Sequence, residues 1–135
     1  MTDQPTTYHS YKDLQVWQKS LEFASQVIKS LGELKAADKQ LIGEPLFSTA
    51  IAVPAHIANG FASKSKAVYV DSLKSALGQT AVIETIMESC TLAGISLSLS
   101  AEDLKFIRIM LAKLTSSLTS KNKEPKIQEK EEKKE

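Results

Sequence analysis

The side chains able to do chemistry in this chain are few and far apart. His9, His56 and Cys90 are its only soft metal ligands, and no two of them have ligand spacing. His56 lies in an otherwise apolar stretch, where a hydrogen-bonded core or interface histidine is the ordinary reading. Cys90 falls in an apolar series with no histidine near it in sequence, so it reads as a small hydrophobe rather than a nucleophile. Glu84 and Glu88 stand one helical turn apart and could share a cation, but two carboxylates make no ligand set, and a solvated face accounts for them. No serine occupies a nucleophile elbow, and the glycines form no phosphate-cradling loop. These residues predict a protein that is not an enzyme and holds no metal or cofactor.

The lysines are more suggestive. Lys64, Lys66 and Lys74, with Lys12 and Lys19, form the basic set outside the C-terminal run, and lysine ammonium groups contact nucleic-acid phosphates as point charges. A domain that grips a phosphate backbone usually carries a basic excess. Residues 1 to 120 instead carry eleven Lys or Arg against eleven Asp or Glu, with Arg108 the single arginine. A nucleic-acid site must therefore be a local patch, or one multiplied by an oligomer. Trp17 could stack a base, but it lies on an apolar seam and reads as core.

The elements that must position these groups are helices. Leu14, Trp17, Leu21, Ala24, Ile28 and Leu31 recur at steps of three and four, a helix seam that a strand could not produce. Gly32 follows as the expected stop. A second seam runs Tyr69, Leu73, Ala76, Thr80, Ile83, Met87, Cys90 and halts at Gly94. A third runs Leu104, Ile107, Leu111, Leu114, Leu118, behind a Ser100 N-cap and the acidic first turn of Glu102 and Asp103.

Between Glu44 and Lys64 lie nineteen residues without a formal charge, about the length that spans a bilayer. Pro45, Pro54, His56, Asn59 and Gly60 dilute that run, and its small residues argue against a membrane span. Leu46, Ala50, Val53 and Ile57 instead mark an inner helix of a bundle. Pro54 should free the carbonyl of Ala50, and Pro45 either opens this helix or puts a second bend in a longer one. Gly60 should end it, with Ser63 or Ser65 capping the next.

Three stretches carry a family resemblance: "YKDLQVWQKS" (11–20), "VPAHIANG" (53–60) and "SLKSALGQTAVIETIMESCTLAGI" (72–95). Together they resemble the four-helix bundle family of proteins encoded in intervening sequences of large-subunit ribosomal RNA genes. Accessory proteins of diversity-generating retroelements are related to that family. The resemblance covers roughly residues 10–115. It implies a homopentameric, barrel-like ring of four-helix bundles with no known enzyme activity. For the retroelement relatives it implies association with a reverse transcriptase and with nucleic acid through a basic surface. The chain departs from the family pattern where paired arginines are replaced by Phe47 and Ser48. It departs again at Asn59, at Leu77 and at Val82, so charges of both signs are lost together. Replacing a whole ion network by apolar groups can be neutral for stability.

The expected architecture is all-α: an antiparallel up-and-down four-helix bundle over residues 11–119, assembling as a homopentameric ring. A flexible N-terminus (1–10) precedes it, and a charged, disordered tail (120–135) follows. Apolar residues beside the main seams, namely Val16, Phe23 and Val27, then Phe47 and Ile51, then Val82 and Ile86, are candidates for the oligomer interface. The start of the chain shows no secretory signal, and a single cysteine suits a reducing compartment, so the expected location is cytoplasmic. Two functions fit: an oligomeric accessory protein or scaffold that binds RNA or DNA, or a reverse-transcriptase ribonucleoprotein; and a purely structural protein–protein oligomer.

Overall fold

A computed structural model describes residues 9–123 of the 135-residue chain. A short 3-10 turn (Tyr11–Asp13) leads into four α-helices: α1 (Gln15–Gly32), α2 (Ala36–Ala62), α3 (Lys66–Leu92) and α4 (Ala101–Lys123). Links of three residues join α1 to α2 and α2 to α3. Such short links allow only antiparallel neighbours, and α4 returns alongside both α3 and α1 to close the bundle. The described residues contain no strand; outside the helices lie these two links, the eight-residue link 93–100 between α3 and α4, and residues 9, 10 and 14. The expectations for residues 1–8 and 124–135 lie outside the described part; at the boundaries, Ser10 already caps the first turn and α4 continues past residue 119.

Serine side chains cap the 3-10 turn, α3 and α4, whereas α1 and α2 begin at Leu14 and Lys35 without a side-chain cap. Ser10 accepts from the Lys12 amide at 3.1 Å, while the Asp13 carboxylate accepts from the Ser10 and His9 amides, both at 3.2 Å. This capping box satisfies amides that a helix start leaves unpaired. Ser65 caps α3 by accepting from Val68 N–H at 3.2 Å, and Ser100 caps α4 by accepting from Asp103 N–H at 3.1 Å. Gly94 follows the end of α3 with φ +80°, the left-handed conformation in which glycine bears no Cβ penalty.

Pro45 and Pro54 both lie inside α2, which begins nine residues before Pro45. The longer-helix alternative is therefore the correct one. By length and composition α2 could cross a bilayer, yet its stripe Leu46, Ala50, Val53 and Ile57 is spent on the bundle core, each at most 2% exposed. Of the stripes expected on α3 and α4, Leu73, Ala76, Thr80, Ile83, Cys90, Leu104, Ile107 and Leu111 are buried, while Tyr69, Met87, Leu114 and Leu118 are half-buried against the core.

Helix α1 is the exception. Leu21 and Ile28, placed on its seam by their spacing, face solvent at 39% and 57% exposure. The face turned inward is Val16, Ser20, Phe23, Ala24, Val27 and Ser30. Val16, Phe23 and Val27 are thus core residues of the single chain, which corrects their assignment to an interface. The two serines explain the error: they belong to the buried face but do not read as apolar. The Ser20 hydroxyl donates to the carbonyls of Val16 (2.8 Å) and Trp17 (3.0 Å), and Ser30 Oγ accepts from Ser98 N–H at 3.0 Å. With their polar atoms satisfied, both can be buried at little cost.

Candidate nucleic-acid interface

The segment from Asn59 to Lys66 builds a tightly held corner between α2 and α3. At Gly60 the helices approach so closely that a Cβ would stand 2.6 Å from Ser72 Cβ and 3.2 Å from Tyr69 Cα. The next residue, Phe61, packs edge-on against Tyr69 with ring centroids 5.7 Å apart. Ser63 then fastens the turn: its hydroxyl donates to the Gly60 carbonyl at 2.7 Å, and its Oγ accepts from Ser65 N–H at 3.1 Å. Between the two serines Lys64 adopts φ +64° and is exposed, and Lys66 is exposed at the first position of α3.

The antiparallel topology places Lys64 and Lys66, with Lys12 and Lys74, toward one end of the bundle, while Lys19 lies farther along, in a cleft with Glu22, Gln26, Asp103 and Phe106. The half of the bundle on the side of Lys64 consists of the turn before α1, the first half of α1, the end of α2, the start of α3 and the second half of α4. Counted to residue 120, it carries Lys12, Lys19, Lys64, Lys66, Lys74 and Lys113 against Asp13, Glu22 and Asp71. In the other half, Lys29, Lys35, Lys39, Lys105 and Arg108 stand against seven carboxylates: Glu33, Asp38, Glu44, Glu84, Glu88, Glu102 and Asp103. A body that is neutral by count is thus divided along its axis, with a formal excess of +3 in one half and −2 in the other. Lys19 is engaged with Glu22 at 3.7 Å. Lys12, Lys64, Lys74 and Lys113 make no ion pair among the described residues. The sequence reading missed Lys113, because only the fold brings α4 back to this half.

The remaining chemistry-bearing residues do not converge. His9 is exposed ahead of the first turn, His56 is half-buried on α2, and Cys90 is buried on α3. Burial, and then the negative charge of Asp38, push the Cys90 thiol above its ordinary pKa. Glu84 is taken up by Arg108, whose guanidinium donates to Glu84 Oε1 at 3.0 Å and to Thr80 Oγ1 at 3.3 Å. Among the described residues no three His, Cys, Asp or Glu side chains gather as a metal-ligand set. Trp17 packs on the core and against Tyr11, with ring centroids 5.4 Å apart.

Of the apolar interface candidates, Phe47 and Ile51 are half-buried against the core and Val82 is 45% exposed. Ile86 lines an apolar groove of about 270 Å³ between α2 and α3, with Leu41, Ile42, Pro45, Cys90 and Ile95. Leu41, 70% exposed, was not singled out from the sequence.

A closed bundle of four helices with a lysine-rich corner between α2 and α3 defines the chain as an all-helical bundle protein. Its family follows from comparison with known proteins. The model of the 23S rRNA-intervening sequence protein family matches residues 12–120, so the chain belongs to that family. Comparison with curated proteins and with solved structures gives no match.

Proposed function

We propose that the protein is a non-enzymatic, oligomeric accessory protein that binds structured RNA or duplex DNA through the basic end of its bundle. The observation that carries this reading is the segregation of charge: six of the lysines up to residue 120 share one half of the bundle, and Lys12, Lys64, Lys74 and Lys113 make no ion pair among the described residues. Phosphate contacts of this kind release counterions, so affinity should fall steeply with salt. A ring of subunits would repeat the patch and turn weak contacts into avidity. The family assignment is compatible with a nucleic-acid-related role. Association with a reverse transcriptase is the partner that the resemblance to retroelement accessory proteins suggests.

The test is binding of a hairpin RNA and a duplex DNA across a salt series. Substituting Lys64, Lys66 and Lys74 together by alanine should weaken binding to both without changing sequence preference. It should also reduce the salt slope by up to about three per bound protomer. Unchanged affinity at low salt would move the site away from this corner. Absence of salt-dependent binding by the unmodified protein would leave the structural-oligomer reading, which the apolar α2–α3 groove favours.

A further inference from the structure

We propose that Lys64 is the leading phosphate contact of the basic end, held at the tip of the α2–α3 corner in a backbone conformation that favours glycine. The inference rests on the nucleic-acid reading above and deepens it to one residue. Two corners of this bundle require a left-handed residue, and the chain fills them differently. After α3 the position is Gly94, at φ +80°; after α2 it is Lys64, at φ +64°. A residue with a Cβ is disfavoured there, and a lysine brings no side-chain hydrogen bond to the local backbone as asparagine can. Nothing in the fold rewards the lysine either. Its side chain is exposed and makes no ion pair or hydrogen bond among the described residues.

The turn itself does not need a cation. Its bonds run from Ser63 N–H to the Gly60 carbonyl, from Lys64 N–H to the Phe61 carbonyl, and through the hydroxyls of Ser63 and Ser65. A glycine would make the same backbone bonds. What the lysine adds is a positive charge whose flexible stem is rooted in a fixed backbone, between two serine-pinned helix ends, on the side of the molecule richer in lysine. A fixed backbone reduces the ordering cost of each contact, which suits a first contact with a polyanion. The fitting ligand is the phosphate backbone of a nucleic acid. RNA and DNA share that chemistry, and the experiment separates them.

The test compares Lys64→Gly, Lys64→Asn and Lys64→Arg in the full chain, by thermal melting and by binding to a hairpin RNA and a duplex DNA. Lys64→Gly should melt about 3 °C higher, because it relieves the left-handed residue. It should also bind several-fold more weakly, with a salt slope lower by about one per bound protomer. Lys64→Asn should keep or raise the melting temperature and bind as weakly as the glycine variant. Lys64→Arg should retain both affinity and slope. A preference for one probe names the source of the phosphate. If the unmodified protein binds and Lys64→Gly binds equally well, the role of Lys64 is overturned while the basic-end reading stands on the other lysines. If the unmodified protein binds neither probe, both fall together. A lower melting temperature for Lys64→Gly would remove the conformational premise.

Discussion

Gly60 has no space for a methyl group, because Ser72 Cβ lies where that carbon would meet it at 2.6 Å. Gly60→Ala must therefore push α2 and α3 apart at the corner that carries Lys64 and Lys66. Overpacking of this kind costs about 1–3 kcal/mol, so urea unfolding should show a loss in that range. Ser72→Gly should recover part of it in the double variant; a neutral Gly60→Ala would mean that the helices are not in this contact. Cys90 gives a second residue-scale expectation, in pH. Burial and Asp38 raise its pKa in the folded state, so the native protein keeps a proton that the unfolded chain releases. Its contribution to stability is full below the ordinary thiol value and is lost as pH rises through the raised folded value. Urea midpoints between about pH 8 and 10 should thus fall more for the unmodified protein than for Cys90→Ala. Equal slopes would show that the thiol titrates normally. Both residues were singled out in the sequence, Cys90 correctly as a seam residue; Gly60 was expected to stop α2, but the helix runs on to Ala62 and the glycine instead permits the close approach of α3. The contact with Ser72 was not visible there, because it depends on how two helices cross.

Regular apolar spacing made α2, α3 and α4 readable, and their buried stripes are those the sequence indicates. The same rule misled on α1, where Ser20 and Ser30 complete the buried face and bond to backbone groups. A pattern of apolar letters cannot register a serine whose hydroxyl is satisfied locally. Helix α2 shows the other limit of local reading. A proline can open a helix or interrupt one, and only the full length of α2 decides between these. Pro45 is exposed, well inside the helix, and leaves the Leu41 carbonyl without its usual donor. An interior proline costs up to about 3 kcal/mol relative to alanine. Pro45→Ala should therefore stabilise the bundle by about 1–3 kcal/mol in urea unfolding. Pro54 is buried in the core, so its replacement by alanine loses packing as it gains a donor and should gain less. A destabilising Pro45→Ala would show that the packing of α2 depends on a bend at that residue.

At the scale of the molecule, the antiparallel fold separates two kinds of surface that the sequence mixes. Charge becomes an axial property, with a lysine excess in one half and a carboxylate excess in the other. The larger apolar exposures among the described residues fall in the carboxylate half: Leu92 and Val82 on α3, Leu41 on α2 and Ile28 on α1. Scattered apolar residues are normal on a soluble protein, but the α2–α3 groove is continuous and apolar over several side chains. Burying such a surface at about 25 cal/mol per Å² could supply several kcal/mol per contact before association entropy is subtracted. A head-to-tail contact repeated around a ring leaves no such face exposed. The expected outcome is an oligomer of 14.8 kDa protomers in light scattering of the unmodified chain at micromolar concentration. Val82→Asp and Leu41→Asp should dissociate it while leaving helical content intact, since both residues are exposed in the single bundle. Phe23→Asp cannot serve this purpose, because Phe23 is 2% exposed and its replacement would unfold the protomer. A stable monomer at that concentration would remove the ring, and with it the avidity that a modest lysine patch needs to hold a nucleic acid.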